Sequence, residues 1–173
     1  MPLTGDLVKS DDNLQAAFAG ESQANRKYVA FSRKAETDGL VQVARLFRAA
    51  ADSETVHALN HLRVMKGIGA TLGNLKAALE GEVYEHTKMY PEFIRTAESE
   101  NRTDARLTFH YANEAEKRHA KFYQDAIEAV KSGKDLPAVE YFVCQTCGFT
   151  TDKEAPDKCP VCGSLKSQFK EVT

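Results

Sequence analysis

Up to about residue 132 the apolar positions recur at alternating steps of three and four, the spacing of amphipathic helices. The pattern predicts four long helices near 11–37, 40–66, 73–99 and 103–132. Their punctuation is conventional. Ser10 or Asp11 caps the first, Asp38-Gly39 breaks it from the second, and Gly67 with Gly69 ends the second. Residues Asn101 to Asp104 separate the third from the fourth, and Ser132-Gly133 ends the last. Very short turns join the first helix to the second and the third to the fourth, so each pair is expected to form an antiparallel hairpin. The middle connection, KGIGATLG, is looser. FAGES and LEGEV place Gly-Glu in the first helix of each pair, which suggests an internal duplication. Beyond Leu136-Pro137 the chain reads as short strands and turns.

Written along each helix, the apolar stripes carry ionisable residues in their middles. The first runs Leu14, Phe18, Glu21, Ala24 or Asn25, Tyr28, Phe31; the second runs Val43, Phe47, Ala50, Glu54, His57, His61, Val64. The third runs Leu75, Leu79, Glu82, His86, Met89, Phe93, with Glu85 one step aside; the fourth runs Ala105, Phe109, Ala112, Glu116, His119, Tyr123, Val130. A buried carboxylate costs several kcal/mol unless paired or protonated. Five at one level, with no Lys or Arg on the stripes there, require cations between them. Two divalent metals nearly balance five carboxylates, and carboxylate oxygens with imidazoles suit iron or manganese. Glu54-x-x-His57 and Glu116-x-x-His119 each project two donors from one helix face. With Glu21 and Glu82 they make the carboxylate-bridged di-metal pattern of a ferritin-like four-helix bundle. Residues 80–91, EGEVYEHTKMYP, are awkward as plain helix: Glu82 and Glu85 repel each other, Gly81 weakens the helix, and Pro91 removes a donor. Gly81 is expected to permit close helix approach, and Pro91 to bend the helix just beyond Tyr90. Tyr28 and Tyr90 fall one or two turns from ligand positions, as core tyrosines or as hydrogen-bonding partners of the site.

All four cysteines fall near the C-terminus as Cys144-Gln-Thr-Cys147-Gly and Cys159-Pro-Val-Cys162-Gly. Two CxxC pairs make a tetrahedral thiolate site for iron or zinc, and ligation must stabilise a tail too short for a large core. The expected division is a bundle over 1–137 and a four-cysteine domain over 138–173. A net charge of −2 gives no electrostatic case for nucleic acid or anionic membrane. No apolar run reaches the length of a membrane span, and MPLTGDLVKS lacks the regions of a signal peptide. A cytoplasmic protein is the expectation. No GxGxxG fingerprint is present, so a nicotinamide cofactor would be handled by another protein.

Taken together, FAGES around Glu21, ETVH at 54–57, EGEVYEHTKMYPEF at 80–93, EAEKRH at 114–119 and the closing CxxCG pairs resemble the rubrerythrins over nearly the whole chain. The resemblance implies a mainly α protein, an antiparallel four-helix ferritin-like bundle followed by a rubredoxin-like domain. It makes Glu54 and Glu116 bridging carboxylates, Glu21 and Glu82 terminal ligands, and His119 a ligand of one iron. It makes Glu85 and His57 an alternating pair, the carboxylate binding in the diferric state and the imidazole after reduction. Cys144, Cys147, Cys159 and Cys162 hold a rubredoxin-type iron, for which zinc can substitute. The implied activity is reduction of hydrogen peroxide. Electrons come from a rubredoxin or a reduced-nicotinamide-dependent reductase, and the assembly is a homodimer, in some relatives with helix pairs exchanged. The alternatives are a ferroxidase or iron-handling protein, and a non-enzymatic electron-transfer protein.

Overall fold

The computed structural model describes residues 9–173. MPLTGDLVKS, expected not to be a signal peptide, lies largely outside the described residues. The chain divides into two compact units, 1–69 and 70–173, each described here by itself.

The first unit is a helical hairpin of α1, Lys9–Thr37, and α2, Val41–Val64. Ser10 and Asp11 lie inside α1 rather than capping it, and Asp11 and Asp12 place negative charge in its first turn, where the helix dipole favours it. The turn after α1 needs a left-handed residue, supplied by Gly39 with φ +76°, and the Leu40 amide donates back to the Ala35 carbonyl at 2.8 Å. At the end of α2 that role falls to Lys66, φ +56°, and not to Gly67 or Gly69. Ala44, Ala51 and Ala58 are buried along α2, seven residues apart, and Asn25, Ser32 and Ala35 are buried on α1. Small residues at the contact let helix axes approach closely. The Asn25 amide spans the hairpin, donating to the Ala51 carbonyl at 2.7 Å and Thr55 Oγ1 at 2.8 Å, while its oxygen accepts from Arg26 Nε at 2.8 Å.

The second unit opens with α3, Thr71–Tyr84, a π-helical turn, Glu85–Met89, and α4, Tyr90–Ser99; α5, Thr103–Lys131, returns antiparallel. The third predicted helix is thus continuous but widened by one residue in the awkward stretch. The Tyr90 amide donates to the Glu85 carbonyl, an i−5 bond. Pro91 has no amide to donate and its ring crowds the carbonyl four residues back, which favours this wider turn. The expected bend at Pro91 is realised as the π turn before it. A Cβ added at Gly81 would meet nothing within 4 Å, so Gly81 does not mark a close helix approach.

The two hairpins repeat one internal geometry. Phe31 and Phe47 meet edge-on at 5.5 Å between centroids with Tyr28 6.3 and 6.2 Å from them; Phe93 and Phe109 meet at a tilt at 5.5 Å with Tyr90 6.2 and 6.4 Å away. Phe47 to Glu54 and Phe109 to Glu116 are both seven residues. Glu21 to Tyr28 is also seven, but Glu82 to Tyr90 is eight. The extra residue is the one absorbed by the π turn.

The tail is a three-stranded antiparallel sheet in the order β2-β1-β3, with β1 Tyr141–Cys144, β2 Thr150–Asp152 and β3 Phe169–Val172. It packs on α5. Tyr111 lies against the buried cysteine cluster, Tyr141 meets Phe122 edge-on at 5.4 Å, and Arg118 pairs with Asp152 at 2.6 Å while its guanidinium lies 4.4 Å above the Phe122 ring. The fold is mainly helical, with the four helices of a ferritin-like bundle followed by a rubredoxin-like knuckle. No helix among the described residues is long and apolar enough to cross a membrane.

Because Asn25 ties α1 to α2 through a backbone carbonyl and a hydroxyl, Asn25→Ala removes both bonds across the hairpin, although the Ala51 carbonyl keeps Thr55 Oγ1 as a donor at 3.1 Å. It is expected to cost about 1–3 kcal/mol, read as a lowered denaturation midpoint in urea.

Candidate metal centres

Each hairpin brings two carboxylates and one imidazole to a point. In the first, donor atoms of Glu21, Glu54 and His57 lie within 4.8 Å of one another, with His57 Nδ1 2.9 Å from Glu54 Oε2. In the second, Glu82, Glu116 and His119 do the same, with His119 Nδ1 2.7 Å from Glu116 Oε2 and 3.7 Å from Glu82 Oε2. The i, i+3 spacing on α2 and α5 produces the Glu–His contact in both cases. The imidazoles differ in their setting: the His57 side chain is 51% exposed, that of His119 30%. His119 Nε2 is also held, 2.8 Å from Thr150 Oγ1.

The second group has the electrostatics of a cation-binding donor set. Glu82 Oε2 is buried with no hydrogen-bond partner among the described residues, although a carboxylate oxygen so placed costs several kcal/mol. Burial, a shared hydrogen bond with Glu116 and the Glu116 charge push the Glu82 carboxyl up to about 7. Burial pushes Glu116 up too, but hydrogen bonds from His119 and Glu82 outweigh it and hold Glu116 below the usual range. The bond to Glu116 raises His119 above the ordinary imidazole value. Protons thus occupy the space between these donors in the metal-free protein, and a divalent ion at Nδ1 and the carboxylate oxygens would satisfy all of them.

Glu85 stands outside the 4.8 Å group but within its field, raised by burial and then by the Glu116 charge. Tyr90 is raised by burial and then by the charges of Glu116, Glu85 and Glu82. Tyr28 sits in the aromatic group of the first hairpin. Tyr123 on α5 was not singled out in the sequence, yet burial and the charges of Glu82 and Glu116 raise it in the same way. Its signal was its place seven residues after Glu116 on the same stripe. Thr150 carried no signal in the sequence. His86 is outside the group of three, its Nδ1 2.7 Å from the Glu82 carbonyl oxygen, and its charge helps to lower Glu116.

The four cysteine sulfurs also lie within 4.8 Å of one another, with Cys144–Cys162 at 3.7 Å and Cys147–Cys159 at 3.5 Å. Disulfide sulfurs would be about 2.05 Å apart. A tetrahedron with metal–sulfur distances of about 2.3 Å has edges of about 3.8 Å. The two knuckles share a backbone pattern: the Gly148 amide donates to the Cys144 carbonyl and the Gly163 amide to the Cys159 carbonyl, both at 2.9 Å. Both glycines are left-handed, at φ +82° and +75°. Burial raises Cys147 and Cys159 and also pushes Cys162 up, but hydrogen bonds at Ser164 and with neighbouring thiols bring Cys162 down to about 6. Four thiolates in this space need a cation.

Comparison with known proteins decides the family. A profile described as "Rubrerythrin" matches residues 12–127, and one described as "Rubrerythrin, rubredoxin-like domain" matches 142–170. The chain belongs to the rubrerythrin family. It is 40% identical to Rubrerythrin-2 of Clostridium acetobutylicum, over 92% of this chain and 94% of that protein. It is 35% identical to nigerythrin of Nitratidesulfovibrio vulgaris, over 91% and 84% of the two chains. Solved structures of nigerythrin in the partially reduced and the fully reduced, all-ferrous states match at TM-scores of 0.56 and 0.54, each with 31% identity over 98% of this chain and 89% of that one. Rubrerythrins are iron-dependent oxidoreductases of peroxide and oxidative-stress chemistry. The donor sets of this chain fit the family's cofactors, a carboxylate-bridged di-iron site and a four-cysteine iron.

The Glu82 shift has a consequence for the metal-free protein. Its folded value of about 7 lies above the ordinary carboxyl value of 4.5, so the folded state holds a proton that the unfolded state releases. This contribution is full below pH 4.5 and is lost as pH rises towards and through 7; the raised His119 acts in the same direction, and the lowered Glu116 opposes them only on the acid side. The metal-free protein is expected to lose stability between pH 5 and 8, read by chemical denaturation, with a shallower loss in Glu82→Gln.

Proposed function

We propose that the protein is a peroxidase that reduces hydrogen peroxide to water, with electrons entering through the iron of the four-cysteine knuckle. The observation that carries the reading is the pair of like Glu–Glu–His triads on a chain that also folds a four-cysteine knuckle against α5. In this reading 1–137 is the catalytic part and 138–173 the electron-entry part. One peroxide, two protons and two electrons give two waters, and bound iron supplies the electrons and stabilises developing charge on oxygen.

The residues have the following roles. Glu54 and Glu116 would be the bridging carboxylates, Glu21 and Glu82 terminal ligands, and His119 a standing ligand through Nδ1. Glu85 and His57 would be the ligands that alternate with oxidation state. Two contrasts support this division: His119 is held at both ring nitrogens, whereas His57 is half exposed and is held at Nδ1 alone among the described residues. Glu85 opens the π turn, beside the standing donors but outside their contact distance. Tyr90, and Tyr28 in the other hairpin, would serve as hydrogen-bonding partners of ligand carboxylates or substrate. Cys144, Cys147, Cys159 and Cys162 hold the relay iron.

The donor is a second protein, a rubredoxin or a nicotinamide-dependent reductase, and the assembly is a homodimer. A ferroxidase would use the same bundle donors with dioxygen, but iron storage has no need of the cysteine relay.

Rapid mixing of the fully reduced protein decides between them: peroxide is expected to reoxidise the bundle irons faster than dioxygen does, and the reverse order overturns the peroxidase reading. Glu116→Ala is expected to cost the bundle iron pair while sparing the cysteine-bound iron, measured by metal content and absorption. Cys144→Ser, compared per loaded bundle iron pair, is expected to retain the peroxide reaction of the pre-reduced bundle yet abolish turnover from the protein donor.

A further inference from the structure

The knuckle meets the second triad through a single hydroxyl. Thr150 Oγ1 lies 2.8 Å from His119 Nε2 and 3.3 Å from the carbonyl oxygen of Gly148. A carbonyl only accepts, so the one proton of the hydroxyl goes to Gly148, and the hydroxyl oxygen accepts from His119. Nε2 therefore carries a hydrogen. Nδ1 is then the nitrogen available to a metal, and it is the one turned to Glu116 and Glu82.

Neighbouring contacts hold this arrangement in register. Residues i and i+2 of a strand share a face, so Thr150 and Asp152 of β2 both face α5. Asp152 engages Arg118 at 2.6 Å, one residue before His119. On the other side, Gly148 directly follows Cys147, and its amide is fixed to the Cys144 carbonyl at 2.9 Å. Two hydrogen bonds and one peptide unit thus connect the imidazole of His119 to a cysteine of the same chain.

We propose that Thr150 is a positioning residue that orients His119 for metal binding at Nδ1 and couples that imidazole to the four-cysteine site of its own chain. The proposal rests on His119 being a metal ligand, as assigned above. A ligating imidazole whose distal N–H is anchored is fixed in tautomer and ring orientation and is a stronger base toward the metal. Here the anchor is supplied by the knuckle rather than by a helix of the bundle, so loading of the bundle site becomes sensitive to whether the knuckle is folded.

The test uses the full chain loaded with zinc as a diamagnetic probe, in wild type, T150S and T150V. In wild type and T150S, proton–nitrogen NMR is expected to show a slowly exchanging hydrogen on His119 Nε2. In T150V, which keeps the side-chain shape but removes the acceptor, that resonance is expected to be lost to exchange. Zinc affinity of the bundle is expected to fall by about tenfold or more, while the cysteine site keeps its zinc. A protected Nε2 hydrogen that survives in T150V, or one that is lost in T150S, overturns the proposal. If T150V does not fold, T150A removes the same acceptor and carries the same expected and overturning outcomes. Wild-type protein that binds zinc only at the cysteines would instead overturn the ligand assignment, which separates the two failures.

Discussion

Like charge gathered inside helical hairpins is the constraint on which the rest of this structure depends. Glu82 and Glu116 sit close enough to share a proton, with one Glu82 oxygen buried and unpartnered among the described residues. Water cannot solvate that oxygen, and no lysine or arginine stands on the stripe to neutralise it. Without metal the group is held by protons alone, which is why Glu82 and His119 are raised together. With metal, the same repulsion becomes the preorganised donor set of a site. The four thiols of the tail repeat the logic with soft ligands: burial keeps Cys147 and Cys159 protonated until a cation arrives.

The π turn shows how one residue changes a repeated motif. The two hairpins agree in their aromatic groups and in their Glu–Glu–His triads, and they differ by the single extra residue between Glu82 and Tyr90. An insertion in a helix either shifts every later side chain by about 100° or is absorbed locally as a widened turn. Absorption leaves Tyr90, Phe93 and the rest of α4 in the positions their counterparts hold in α1. It also places Glu85 at the opening of the widened turn, beside the triad, where the first hairpin has no carboxylate. The awkward chemistry of EGEVYEHTKMYP is therefore the local signature of an added donor.

Docking of the knuckle on α5 gives the tail a second role besides holding iron. Tyr111, Phe122 and Tyr141 supply the apolar part of that contact, and Arg118–Asp152 and His119–Thr150 supply the polar part. A small module with little core gains orientation from these contacts, and α5 in turn has its ligand imidazole fixed from outside the helix.

Much of this was legible in the chain alone, because helices and knuckles are local. A period of three to four residues decides which side chains share a face, so the four helices, both Glu-x-x-His pairs and the carboxylate in each remaining stripe were readable without coordinates. CxxCG spacing likewise specifies a metal knuckle, since the backbone between the two sulfurs closes on itself. Ends were less legible: Ser10 and Asp11 lie within α1, and Lys66 rather than a glycine makes the left-handed turn after α2. What only the tertiary structure decided involved residues distant in sequence or a competition between backbone hydrogen bonds. The π turn was hidden because α and π turns differ by one hydrogen-bond choice, made here by Pro91 and the packing of Tyr90 on Phe109. Tyr123 and Thr150 were hidden because their importance lies in what they face. Thr150 is 31 residues from His119, and no periodicity along the chain links a helix face to a strand packed across it.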